Sequence, residues 1–147
     1  MPALNLKDFI LYLYSYRILG AGRENTANIL AGLGAADAPA ADACDTYPGT
    51  IPTNDWFLPS MGELTQLYNF DVAVRGGSYP GLTTGLFSSA SNDRYWSSCQ
   101  AYSSTGGWDG ALDRRNCAFY QLFYSTGGQG EIAKALPSSY VRPIRAF

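Results

Sequence analysis

"NDWFLPSMGELTQLYNF" runs from Asn54 to Phe70, and its reading decides the fold. Trp56, Phe57 and Leu58 form a short extended stretch, since a residue ahead of a proline, here Pro59, is pushed out of helical geometry. Ser60 stands three residues before Glu63. At that spacing each side chain can accept from the other's backbone N–H, the reciprocal arrangement of a capping box. Met61, Leu64, Leu67 and Tyr68 then recur at helical intervals. The stretch therefore predicts a helix that starts after Ser60, turns that face to a core and stops near Asn69.

Working outward, the N-terminal side predicts one or two more helices. In "GAGRENTANILAGLG" (Gly20–Gly34), Asn25 or Thr26 is the expected N-cap, and Ala27, Ile29, Leu30 and Leu33 supply the apolar face. Gly34 ends it. Pro39 suits the first turn of a short helix reaching Cys44. The stretch Leu6–Leu19 is ambiguous by period. Its aromatic and branched residues favour a strand over Phe9–Tyr14.

On the C-terminal side, Asp71 to Asn92 is rich in Gly, Ser and Thr and reads as loop, with a turn of structure near Leu82–Phe87. Short strands follow: "RYWSS" from Arg94, "GGWDGAL" from Gly106, "NCAFYQLFY" from Asn116 and "GEIAKAL" from Gly130. Val141, Ile144 and Phe147 are expected to be buried in the closing segment. Helices first and antiparallel strands second indicate an α+β fold. No repeat or boundary divides the 147 residues, a usual length for one domain, so residues 1–147 are expected to form a single one.

Composition narrows the function. The chain is 46% hydrophobic and 15% charged, with a net charge of −2 and a pI near 4.9. Lys7 and Lys134 are its lysines, and the arginines form no stripe, so neither nucleic acid nor an anionic membrane is an expected partner. No secretion signal is visible, and the apolar run Phe9–Leu13 is too short to span a bilayer. Cys44, Cys99 and Cys117 lack zinc-type spacing, and the chain has no histidine. They read as small buried thiols, with one bridge plus one free thiol as the alternative. No cofactor is expected.

An enzyme is not expected either. Without histidine the commonest general base at neutral pH is missing. Arg114 and Arg115 can lower a thiol pKa but cannot accept a proton. Gly20 and Gly22 lack the strand-and-lysine context of a phosphate-binding loop.

Three segments together resemble one family: Gly20–Leu30, Asp55–Tyr68, and Arg94–Ser98 with the ending "YVRPIRAF" (Tyr140–Phe147). They resemble the C-type-lectin-like domain at the C-terminus of bacterial collagen-like adhesins. The resemblance covers roughly Leu19–Phe147. It implies two or three helices packed on short antiparallel sheets, with the first and last strands paired and the N- and C-termini close together. It also implies a binding face built after Tyr95-Trp96-Ser97-Ser98, from Cys99 to about Tyr124, and a setting on a virion or cell surface. The Glu-Pro-Asn and Gln-Pro-Asp tripeptides of calcium-dependent sugar-binding lectins are absent. Calcium-dependent sugar binding is therefore not expected.

A subset of this fold serves as the variable protein of diversity-generating retroelements. There, miscopied adenines turn an Asn codon ending in a pyrimidine into Tyr, Ser, Cys, Phe, Asp, Gly, Ala, Arg, Leu and others, but not Trp, Gln, Lys, Glu or Met. Cys99–Tyr124 fits that menu apart from Gln100, Trp108 and Gln121, which would be fixed scaffold. Tyr95, Trp96 and Trp108 are expected in the core. The expected contact surface is Tyr102, Ser103, Ser104, Asp109, Asp113, Arg114, Arg115, Asn116, Phe119, Tyr120 and Tyr124, because the run Asp113–Gln121 shows no clean core period. Tyr and Arg dominate binding hot spots, and Ser, Gly and Asn adapt around them. The expected function is a ligand-binding, receptor- or adhesin-type module for a protein or glycan on a cell surface. The alternatives are a fixed-specificity adhesin or glycan-binding domain, or a structural subunit of a surface or virion assembly. The sequence sets no oligomeric state.

Overall fold

The computed structural model describes residues 19–48, 55–77, 87, 93–100, 117–124, 127–134 and 139–145. The expected strands at Phe9–Tyr14 and Gly106–Leu112, the core position of Trp108 and the burial of Phe147 lie outside these residues. So does the pairing of the first expected strand with the last. The architecture is mixed α+β. In chain order come α1 (Gly22–Leu33), α2 (Pro39–Asp45), β1 (Trp56–Phe57), α3 (Met61–Arg75), β2 (Arg94–Gln100), β3 (Cys117–Leu122), β4 (Gln129–Ala133), β5 (Ser139–Tyr140) and β6 (Ile144–Arg145).

The capping box forms as the sequence requires. Ser60 Oγ accepts from Glu63 N at 3.3 Å, and Glu63 Oε2 accepts from Ser60 N at 2.7 Å. Met61 and Leu64 are buried, and Leu67 and Tyr68 pack against the same cluster. The helix runs past Asn69 to Arg75. No breaker precedes Gly76, Val74 is buried, and Arg75 pairs with Asp71 at 2.8 Å one turn back. Residues 71–75 are therefore helix, where a loop was expected.

The N-terminus of α1 also differs from expectation. The helix starts at Gly22 with Ala21 at the cap position, because Thr26 is used inward. Its hydroxyl donates to Gly22 O at 2.7 Å and accepts from Leu58 N at 3.0 Å, fastening α1 to the segment after β1. Glycine is required at position 22. A Cβ there would collide with the Glu63 carboxylate, with Leu58 O and with the Phe57 ring. The buried face is thus Gly22 and Thr26. Ile29 and Leu30 are half-buried, and Ala27 and Leu33 are exposed. Gly34, at φ 77°, ends the helix, and Pro39 opens α2.

The main sheet has the order β4-β3-β2-β5. β2–β3 and β3–β4 are antiparallel, but β5 lies parallel to β2, with Arg94 beside Ser139. The sheet is therefore mixed. β1 and β6 pair separately, with Phe57 opposite Ile144. From Tyr95 to Cys99, β2 is buried without a break, as expected of a strand covered on both faces. On one face Tyr95, Cys99, Cys117, Phe119 and Phe123 pack with Met61 and Leu64 of α3 and with Phe87. On the other, Trp96 and Ala118 pack with Leu58 and Cys44.

Register shifts where β2 passes Pro59. Trp96 pairs with Tyr120 but Gln100 with Ala118, so β2 carries two extra residues there. Side chains replace the lost ladder bonds. Ser97 Oγ donates to Phe119 O at 2.9 Å and accepts from Cys99 N at 3.1 Å. The freed Ser98 N donates to Pro59 O at 2.7 Å, and Met61 N donates to Cys99 Sγ at 3.3 Å. The bulge joins the sheet directly to the start of α3.

Candidate functional site

Of the expected contact residues, Tyr102, Ser103, Ser104, Asp109, Asp113, Arg114, Arg115 and Asn116 lie outside the described residues. The other three separate. Tyr124 is exposed, at 40%. Phe119 is not a surface residue: it is 6% exposed and belongs to the α3-side core. The expected exposure of Phe119 is thus corrected. The period it obeys is Cys117, Phe119, Gln121, Phe123, and glutamine at the third place hides it from the sequence. Gln121 is 1% exposed. Its amide nitrogen donates to Gly127 O at 2.8 Å and Leu122 O at 2.9 Å, and its oxygen accepts from Gln129 Nε2 at 2.8 Å. With its polar atoms satisfied, the side chain sits in the core as a clamp on the β3–β4 turn.

Tyr120 lies on the opposite face of β3 and is half-buried. The Arg94 guanidinium stands 5.2 Å from its ring centre, a favourable cation–π distance. Its hydroxyl end rests on Gly130 so closely that a Cβ there would overlap the ring. Tyr120 is therefore half-buried and packed against Arg94 and Gly130. Tyr95 and Trp96 are core residues, 6% and 8% exposed.

Residues 101–116 connect the end of β2 to the start of β3. Beside that end of the sheet, between α1, α2 and β2–β3, lies a cavity of about 460 Å³. Helix α1 contributes Asn28, Ile29 and Leu33, and the entry to α2 contributes Asp37, Ala38 and Ala41. The sheet contributes Trp96, Ser98, Gln100 and Ala118, and Lys134 follows β4. Nothing in the residue pattern signals this space. Alanine in a helix reads as a good helix former, and only packing shows that its short side chain leaves room.

The charges near the cavity have identifiable causes. Partial desolvation holds the Lys134 ammonium below the usual lysine value, opposed by the nearby Cys117 sulfur. Lys134 is nonetheless exposed overall. The Cys44 thiol is pushed up to about 12 by burial, with the adjacent Asp45 carboxylate adding to the rise. All three cysteines are free and buried. A deeply buried thiol held in its protonated form is a packing group, not a nucleophile.

Among the described residues no group of three or more Cys, Asp or Glu could hold a metal ion. Among them, too, no helix is long and apolar enough to cross a membrane. Compared with protein-family models, curated proteins and solved structures, the chain matches none.

Proposed function

We propose that the protein is a non-enzymatic ligand-binding module of C-type-lectin-like architecture, with its contact surface carried chiefly on residues 101–116. One observation supports this most. β2 and β3 are fixed by buried side chains on both faces, and they hold the two ends of a stretch rich in Tyr, Ser, Gly and Arg. A rigid frame under such a stretch lets side chains change without unfolding the domain, since exposed substitutions usually cost little. Tyr102, Ser103, Ser104, Asp109, Asp113, Arg114, Arg115 and Asn116 are the contact residues of this reading, with Tyr124 at its edge. Phe119, buried in the core, leaves the set, and so does Tyr120, whose ring packs on Arg94 and Gly130. The partner is a protein or glycan on a cell surface.

The diversification reading is part of the proposal, and DNA sequencing tests it. Coding regions from many isolates are expected to vary at adenine positions within codons 101–116, beside a near-copy of that region and a reverse transcriptase gene. Variation spread evenly along the gene would remove the retroelement reading. The binding reading is tested by a library randomised at the eight contact positions. Most members are expected to melt cooperatively, with selected members gaining affinity for chosen targets. General loss of folding would refute it.

A further inference from the structure

The cavity between α1, α2 and β2–β3 has no part in the proposed contact surface. Its walls are apolar, built from Ile29, Leu58, Trp96 and Ala118, with Ala38 and Ala41 leaving the space. The polar side chains of the sheet wall are already engaged. Ser97 Oγ is held by Phe119 O and Cys99 N. Ser98 Oγ accepts from Asn25 Nδ2 at 3.1 Å, and Cys99 Sγ accepts from Met61 N at 3.3 Å. Gln100 and Lys134 have interactions of their own. Asn28 and Asp37 line the cavity from exposed positions, where water solvates them.

We propose that this cavity binds a small uncharged aromatic molecule of two rings, of the size and chemistry of indole. Size comes first. An apolar cavity of ~150 Å³ holds a single benzene ring, and this one, at about 460 Å³, has room for a larger ring system. The volume also falls in the range of small-molecule sites, ~300–1,000 Å³, which are mostly apolar. The walls then select against charge. Water is held firmly in a protein only where several polar groups receive it. With Ser97, Ser98 and Cys99 engaged, water against these walls is poorly held, and an apolar group that displaces it gains affinity. A carboxylate or ammonium carried into the same space would give up its hydration against apolar side chains, which opposes binding. Trp96 selects a ring over a chain, because one aromatic system favours another set offset or edge-on to it. The site stands whether or not residues 101–116 form a contact surface.

The test is titration of the full chain, labelled with nitrogen-15, with indole and with quinoline, followed by amide chemical shifts and by thermal melting. The comparison ligands are indole-3-carboxylate and tryptamine, which carry the same ring with a negative or a positive charge. Indole or quinoline is expected to bind, to raise the melting temperature and to shift the amides of Ala38, Ala41, Trp96 and Ala118. Each charged counterpart is expected to bind about tenfold or more weakly. Ala41→Leu and Ala118→Leu, which fill the space from α2 and from β3, are each expected to abolish binding. No response to either neutral probe at ~10 mM, a concentration that detects even millimolar affinity, overturns the proposal. So do shifts confined to residues away from the cavity, charged ligands that bind as well as indole, or parental affinity in a folded cavity-filling variant. Should both variants fail to fold, the shift map and the charged ligands on the parent chain decide.

Discussion

Glu63→Gln removes one charge and almost no volume, and the structure sets what it costs. The carboxylate is 7% exposed. Oε2 accepts from Ser60 N at 2.7 Å and Oε1 accepts from Gly20 N at 3.0 Å. One carboxylate thus caps α3 and anchors the chain entering α1. Glutamine keeps a single acceptor oxygen, so its amide NH2 must face one of the two N–H groups. Losing a charge-assisted bond and leaving a buried donor unpaired costs about 1.5–3 kcal/mol. Loss of the negative charge at a helix N-terminus adds about 0.3–1 kcal/mol. A total of about 2–4 kcal/mol is expected, against about 1 kcal/mol for Ser60→Ala, which loses only the longer arm of the box. In a domain of this size that lowers the melting temperature by roughly 5–15 °C. Urea unfolding of the parent and both variants measures it, with an unchanged m-value confirming two-state comparison. A Glu63→Gln protein as stable as Ser60→Ala would refute the reasoning, because Glu63 would then be no more than half of a local cap.

Further outcomes follow from the same contacts. Phe123→Ala removes a fully buried ring stacked 4.0 Å from Phe87 and set edge-on to Tyr95 and Tyr68; a loss of about 3–5 kcal/mol is expected by chemical denaturation. Tyr120→Ala, a change expected to be silent at a surface position, should cost about 1–2 kcal/mol through lost ring contact with Arg94 and Gly130, and a melt indistinguishable from the parent would return Tyr120 to the contact set. Deleting Tyr140–Phe147 removes β6 from Phe57 and Tyr140 from its stack on Tyr95, and loss of the cooperative transition is expected in calorimetry. Cys44 makes stability depend on alkaline pH. Its folded value, about 12, lies above the ordinary 9.0, so the folded state keeps a proton that the unfolded chain releases. The contribution is complete below pH 9 and is lost as pH rises towards 12. Cys44→Ala should flatten that decline in denaturant titrations.

What could be read from the sequence was local and reciprocal. The capping box needs only Ser60 and Glu63, and Pro39 and Gly34 act on their own backbone, so the start of α3, α2 and the end of α1 were visible. What stayed hidden depends on partners far along the chain. Thr26 looks like a cap until Leu58 is placed against it. Gln121 looks like a surface residue until the β3–β4 turn wraps its amide, and that disguise misplaced Phe119. Exposed Phe70 and Val72 beside buried Asp71 blurred the second half of α3. The parallel placement of β5 leaves no trace in a two-residue strand. The proposed contact surface was suggested by residue types, which carry no information about which face each side chain takes.

The pairing of Phe57 with Ile144 has a kinetic consequence. It closes a loop of roughly ninety residues, and closing a long loop costs chain entropy before any contact repays it. β5 likewise reaches β2 only after β3 and β4 have been laid down. Domains dominated by such distant pairings fold slowly, on millisecond-to-second scales. During synthesis α1, α2 and α3 can form while the sheet is still incomplete, and Trp56 and Phe57 must wait for Ile144 and Arg145 to leave the ribosome. Through that interval the apolar faces of β1 and α3 are open to chaperones and to one another. Substitutions in residues 101–116 would then be filtered by how long they delay that closure, as well as by what they bind.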